Sequence, residues 1–177
     1  MLEYFDLIKY AIIIALTTAA GNYLTKQGKK PATANAERHI VLRMPMLIRI
    51  IGFGSTVIGF FPLTAGLIDF NWETCQTAGF LFLLFTGLGL PLLLMGFVYR
   101  LTLTPEGLVQ RNMVGQYKSL SWASITTVDY SIWQELKLSD GSTKMKISSQ
   151  LVGFDMLVTE LELRLGKTRS QMGIPVL

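Results

Sequence analysis

The side chains able to do chemistry are few. The chain has one cysteine, Cys75, and one histidine, His39, so no disulfide forms within it and no Cys/His metal set assembles. A Ser-His-Asp arrangement would have to use His39, and the nucleophile-elbow pattern G-x-S-x-G does not occur. Neither a P-loop nor a G-x-G-x-x-G motif is present, and the pairs Gly52/Gly54 and Gly87/Gly89 fall inside apolar stretches where they cannot cradle a phosphate. Glu160 and Glu162 form a carboxylate pair by sequence, but residues two apart on a helix do not face each other. The expectation is a protein with no catalytic, cofactor-binding or metal-ligating residues and no cofactor.

What remains is charge. Residues 21–49 hold Lys26, Lys29, Lys30, Arg38, Arg43 and Arg49 against one acid, Glu37. Each cation close to an anionic leaflet contributes on the order of 1 kcal/mol of attraction, so these six are the candidate lipid or partner contacts. The plainer reading is topology alone. No aromatic residues are interleaved among them, and no nucleic-acid partner is expected.

The elements that must position these residues follow from composition. The chain has 177 residues, 50% hydrophobic and only 16% charged, with a mean hydropathy of +0.42. A typical soluble domain is about 25% charged. Residues 50–68 carry no charge, nor do residues 74–99. A bilayer core about 30 Å thick needs about 20 helical residues, so the two stretches read as an antiparallel membrane hairpin. The first segment competes among a spanning helix, a signal peptide and an interfacial helix. Glu3 and Asp6 outweigh Lys9 ahead of it, which disfavours a signal peptide and leaves a third span as the preferred reading. The predicted helices are about 4–25, 47–68 and 77–99, with a basic cytoplasmic loop at 26–46, all in a membrane region 1–99.

Basic loops stay inside, so the acidic link with Asp69 and Glu73 is expected outside and the carboxyl-terminal part in the cytoplasm. Gly52, Gly59 and Gly66 recur every seven residues, as do Gly89 and Gly96. They read as a helix-packing face, either within the hairpin or for self-association. Pro62 and Pro91 are expected to kink their helices. The absence of ionisable residues from both core spans argues against a transporter.

From Arg100 onward charge is interspersed as on a soluble surface. Short alternating strands separated by Pro105-Glu106-Gly107, Val114-Gly115 and Ser139–Ser142 lead to a helix with Leu151, Phe154, Val158, Leu161 and Leu165 on one face. Ser148 or Ser149 is the expected start cap and Gly166 the expected end. Trp122 and Trp133 are expected to be partly buried, Trp72 to sit at a membrane boundary, and His39 to be solvated or at headgroup level. Residues 167–177 form a tail with an apolar tip.

The opening YRLTLTPEGL (residues 99–108), the segment SLSWASI (119–125) and the closing helix LVGFDMLVTELELRL (151–165) together resemble the bacterial pleckstrin-homology-like (bPH) domains of small membrane proteins. Six strands are legible here, one fewer than is usual in that family. The resemblance implies a barrel-like sandwich capped by a helix and used for binding or assembly. Inositol-phosphate binding, known for eukaryotic relatives, does not carry over to the dispersed Arg100, Arg111 and Lys118. Lys144 and Lys146, with Lys137 opposite, read as a solvated edge.

The expected fold class is therefore a membrane α-helical hairpin, with two or three transmembrane helices, plus a small mostly-β PH-like domain (residues 100–166) with a C-terminal helix. The expected setting is the cell (inner or plasma) membrane, multi-pass, among membrane lipids. The expected role is non-catalytic: oligomerisation, or docking to a larger membrane complex. Anionic-lipid headgroup binding and service as an accessory subunit of a membrane enzyme or transporter are the alternatives.

Overall fold

Two apolar stretches of about 20 residues, separated by a few polar ones, read as paired helices. In the computed structural model, which describes residues 2–34, 39–68 and 71–175, they are α2 (Met46–Ile68) and α3 (Trp72–Phe97). Both are long and apolar enough to cross a membrane, with mean hydropathies of 1.7 over Met46–Thr64 and 2.2 over Trp72–Phe97. A separate helix, α1 (Leu2–Gly28), precedes them. Helix α3 begins earlier than predicted, so Trp72, Glu73 and Cys75 belong to its first turn. There Glu73 meets the positive end of the helix dipole.

Glycines bring α2 and α3 together. A Cβ on Gly52 would lie 2.7 Å from the Leu93 amide nitrogen, one on Gly59 2.9 Å from Thr86 Oγ1, and one on Gly66 3.0 Å from the Ala78 Cβ. Gly89 faces Thr56, and Gly96 faces the stem of Arg49, from the other side. All five glycines of the seven-residue pattern therefore lie on the contact within the hairpin. Pro62 and Pro91 both lie inside their helices.

The predicted basic loop is not simply a loop. After α1 the chain forms β1 (Thr33–Ala34) and β2 (Ile40–Arg43) before entering α2, and it leaves α3 into β3 (Arg100–Leu103). Strands β2 and β3 pair antiparallel, with Arg43 opposite Arg100 and Leu42 opposite Leu101. The helical hairpin is thus an excursion between two neighbouring strands. The boundary drawn at residue 100 divides this sheet, and the folded unit includes residues from both sides of the hairpin.

Strands β4 (Gly107–Arg111) and β5 (Tyr117–Ser121) complete a sheet of order β1-β2-β3-β4-β5. A single 3-10 turn at Trp122–Ser124 leads to a second sheet, β6-β7-β8 (Thr127–Ser131, Glu135–Ser139, Lys144–Ser148). Helix α4 (Phe154–Leu165) closes the space between them. Among the described residues there are eight strands in place of the expected six, because β1 and β2 arise before the hairpin.

Burial alternates along β3, β7 and β8, as in a half-buried sheet. Leu42, Leu101, Leu108, Leu136, Leu138, Met145 and Ile147 are fully buried against Leu151, Phe154, Leu157, Val158 and Leu161 of the α4 region. Burying each such side chain contributes about 1.5–3 kcal/mol. The same cluster takes in Met44, Ile48 and Tyr99, with Leu92 and Met95 packed on it, so the base of the hairpin and the sheets share one core.

Two local expectations change. Helix α4 is not capped by Ser148 or Ser149: its cap residue is Gly153, at φ 85°, where a Cβ would strike the Ala32 Cβ at 2.5 Å. Gly166 ends the helix as expected, its amide donating to the Glu162 carbonyl at 3.0 Å. The tail is built in, with Met172 and Ile174 buried in the core. Arg169 joins this segment to Asp155 at 3.0 Å and to Glu162 at 3.7 Å. Val176 and Leu177 lie outside the described residues.

Gly89→Val places branched carbons against Thr56 and lowers the unfolding free energy by roughly 2 kcal/mol, the usual scale of overpacking. Gly54→Ala, which meets nothing within 4 Å, shows no such loss. Thermal melts of both variants in detergent micelles check the pair.

Candidate functional site

The six candidate cations do not form one patch. Lys26, in the last turn of α1, and Lys29 and Lys30 just beyond it are exposed. Arg38 lies outside the described residues. Arg49 is taken up by the hairpin: its Nε donates to the Gly96 carbonyl at 2.8 Å, and its guanidinium lies 5.0 Å from the Phe97 ring centroid. Only Arg43, at the end of β2, meets other cations. The candidate packing face Gly52, Gly59 and Gly66 is wholly occupied by α3.

Arg43 belongs to a row that sequence reading misses. Register places Arg43 opposite Arg100, Arg100 opposite Arg111, and Arg111 opposite Tyr117, across four neighbouring strands. Partners in register point to the same side of a sheet. Here that side is the outer one, because Leu42, Leu101 and Gln110, the residues next to the arginines in each strand, face inward. The row stands at the helical end of the sheet. The β3–β4 turn at residues 104–107 sets Leu103 opposite Leu108, so the hairpin register alone pairs Arg100 with Arg111. Arg43 joins only through the long-range β2–β3 pairing.

A cavity of about 240 Å³ sits on this row, lined by Val41, Arg43, Arg100, Thr102, Val109, Arg111 and Tyr117. The Arg111 guanidinium lies 5.6 Å from the Tyr117 ring centroid, and its Nε is buried with no hydrogen-bond partner. Among the described residues no carboxylate pairs with any of the three arginines; the ion pairs present join Arg164 to Glu160 and Arg169 to Asp155 and Glu162. The lysines of the second sheet differ. Lys137 stands between Asp129 and Lys146 in register, so that row contains its own carboxylate.

A larger open groove of about 620 Å³ adjoins the cavity and shares Val41 and Arg43 with it. Its walls are the first turns of α2 and the end of α3, through Met46, Ile50, Phe53 and Phe97, with Val152 opposite. Val152 is fixed there by its amide, which donates to the Arg43 carbonyl at 3.0 Å.

Two apolar loop tips lie near this end. The β4–β5 turn that follows Arg111 exposes Val114 and Met113. The β6–β7 turn exposes Ile132 (91%) and Trp133 (79%), so Trp133 is not the half-buried residue expected. The next residue, Gln134, lines a small cavity with Gly21, Leu24 and Thr25 of α1. Trp122 behaves as expected: it is buried, and its Nε1 donates to the Thr104 carbonyl at 2.9 Å. His39 sits half-buried beside Pro105 and Trp122, at the end of β2 away from the helices. It is not at the level of the arginine row.

Beneath the row the two sheets are joined by a buried polar link. Gln110 Nε2 donates to the Lys146 carbonyl at 2.6 Å and to Tyr99 Oη at 2.8 Å, and Tyr99 Oη itself donates to the Lys146 carbonyl at 3.2 Å. Burial raises the Tyr99 phenol above its ordinary value near 10, partly offset by the Gln110 bond. Below that pH both folded and unfolded chains hold the proton. Above it the unfolded chain loses it first, so stability intact below pH 10 falls as pH rises towards the folded value. Tyr99→Phe removes this part of the alkaline loss and costs about 1 kcal/mol near pH 8 for the missing hydrogen bonds. Melting curves of both proteins from pH 8 to 11 check the difference.

Among the described residues no three His, Cys, Asp or Glu side chains come together as a metal set. Comparison with models of known protein families, with curated proteins and with solved structures gives no match to this chain.

Proposed function

We propose that this is a non-catalytic integral membrane protein whose α2–α3 hairpin crosses the cell membrane and holds a PH-like domain against the cytoplasmic leaflet, where the domain recognises components of the membrane surface. The observation that carries the reading is the insertion of the hairpin between paired strands. Arg43 and Met46 are three residues apart, as are Phe97 and Arg100. With a shared core across the junction, the domain has no tether on which to leave the bilayer.

Further features support the same reading. With β2 counted, four main strands face three, and a C-terminal helix closes them, which fits the PH-like resemblance better than the six strands legible in sequence. Exposed Val114 and Trp133 at the helical end suit an interface, where aromatic and apolar tips are favoured. The 27-residue α1 is long enough to serve as a third span. The surplus of cations in residues 21–49 orients the domain inward.

Oligomerisation through the glycine stripe loses its support, since α3 occupies that stripe. Docking to a membrane complex through the outward apolar faces of the hairpin remains the alternative. It predicts co-migration with a second protein after gentle detergent extraction.

The single native thiol gives a direct test. In intact cells a membrane-impermeant maleimide labels Cys75, beside the outer end of the hairpin. In a Cys75→Ser background, Ala123→Cys on the sheet domain is labelled only after the membrane is permeabilised. Labelling of Ala123→Cys in intact cells overturns the orientation, and recovery of the chain in the soluble fraction overturns membrane insertion.

A further inference from the structure

We propose that the arginine row and the adjoining groove form one binding site for an anionic phospholipid, with the headgroup phosphate on Arg43, Arg100 and Arg111 and an acyl chain along the groove. The inference rests on the membrane reading above and adds to it a ligand class and a place. Three observations carry it.

The first is charge. Neighbouring strands lie about 4.8 Å apart, and like charges directly opposite on a sheet destabilise it. The row sets three guanidinium groups in consecutive register positions, and no described carboxylate answers them. An anion seated across the row turns this repulsion into attraction. Guanidinium groups suit a phosphate because their planar donors meet its oxygens in pairs.

The second is an unmet donor. Arg111 Nε is shut away from solvent without a partner, and leaving a buried donor unpaired is costly. The Tyr117 ring on one side and the Gly115 turn on the other confine the side chain. Arg111 lines the 240 Å³ cavity, and its Nε has hydrogen-bonding capacity still to use.

The third is continuity with an apolar surface. The 620 Å³ groove begins where the cavity ends, at Val41 and Arg43, and runs along Met46, Ile50, Phe53 and Phe97 at the base of the hairpin. An inorganic anion fills only the charged half. A molecule with a phosphate at one end and a hydrocarbon chain at the other fits both halves, and the base of a membrane hairpin is where such molecules are most concentrated. The site lies on the outer face of the sheet and uses none of the loop lysines Lys26, Lys29 and Lys30.

The test uses the full chain purified in a neutral detergent, with lipid retention read by native mass spectrometry across a titration. Dioleoyl-phosphatidylglycerol is expected to bind at least tenfold more tightly than dioleoyl-phosphatidylcholine. Combined Arg43→Gln, Arg100→Gln and Arg111→Gln should abolish that preference. Combined Lys137→Gln, Lys144→Gln and Lys146→Gln removes the same charge from the other sheet and should leave it intact. Melting curves of both triple variants establish that they are folded; if the arginine variant is not, Arg111→Gln alone replaces it, with a loss of about tenfold expected.

Ile50→Trp, which fills the groove, should weaken the dioleoyl lipid several-fold without changing the affinity for soluble glycerol phosphate. Equal affinity for the two lipids, or equal loss in the two triple variants, overturns the site. Inorganic phosphate binding as tightly as the lipid overturns the lipid assignment in favour of a simple anion site. A chain that needs no detergent to stay in solution fails the membrane reading instead, so the two failures are told apart.

Discussion

The pairing of β2 with β3 is the constraint on which the rest of the molecule depends. Two strands in a sheet are held about 4.8 Å apart, whereas packed helices run with their axes 8–10 Å apart. Here the same two chain segments make both structures in succession, with two residues between each strand and its helix. The chains diverge over those residues, and the helices must start as close together as helices can. Glycine makes that possible. Gly96 receives the Arg49 stem at the base, Gly52 and Gly89 meet above it, Gly59 meets Thr86 about halfway up, and Gly66 takes Ala78 near the far end. A bulky residue at the base would force the helices apart and load the strain onto Arg43 and Arg100. The seven-residue glycine pattern, readable in advance only as a packing face, is the counterpart of a strand pairing at the other end of the hairpin.

The same pairing creates the electrostatic feature. Arg100 and Arg111 face one another because the β3–β4 turn sets Leu103 opposite Leu108, and two exposed arginines can spread into water. The arrival of β2 adds a third and lays Val41 beside them, which deepens the surface into a cavity. A comparison within the molecule shows that such a row is not a by-product of sheet formation. On the second sheet, Lys137 stands in register between Asp129 and Lys146, so that row has a carboxylate of its own. On the first sheet no described carboxylate stands in the row.

Which parts were legible in the sequence follows from how local their causes are. The helices and the strands after residue 100 are set by runs of composition and by nearby turns, and they appear within a few residues of the expected places. Strand β2 is four residues, Ile-Val-Leu-Arg, ahead of a much stronger helical signal, and its partner lies on the far side of the whole hairpin; nothing local announces it. The arginine row was missed for that reason, although its Arg100–Arg111 half was available from the turn. Partial burial is expected of Trp133 because it ends a β-branched run, but the strand stops at Ser131 and the turn uses Gln134 at φ 57°, a conformation usually signalled by Gly or Asn. The start of α4 was misplaced because a serine cap is a local rule, while Gly153 answers to Ala32, a contact more than a hundred residues distant. The tail's Met172 and Ile174 carry no periodicity, and the Arg169 ion pairs that join the tail to α4 reach back to Asp155 and Glu162.

A domain joined to a hairpin through one core differs in kind from a domain on a linker. A linker lets a recognition module search a volume and trades affinity for reach. Here Met44, Ile48, Tyr99, Leu92 and Met95 join sheet and helices into one packed body, so the outer face of the first sheet keeps a fixed height and tilt above the helices. On the membrane reading, that face can engage only what resides in the headgroup layer or what approaches along it. The opposite end bears the Glu106 turn and the Asp140 turn. There the Asp140 carboxylate accepts the Thr143 amide at 2.6 Å and the Ser142 amide and hydroxyl at 2.9 Å, and is held below its ordinary pKa by those bonds. The two ends thus differ in chemistry as well as position, with arginines, a tryptophan and an apolar groove towards the helices and tightly bonded polar turns away from them. Rigid attachment gives that asymmetry its value, because only a body that cannot turn over presents one end to the bilayer all the time.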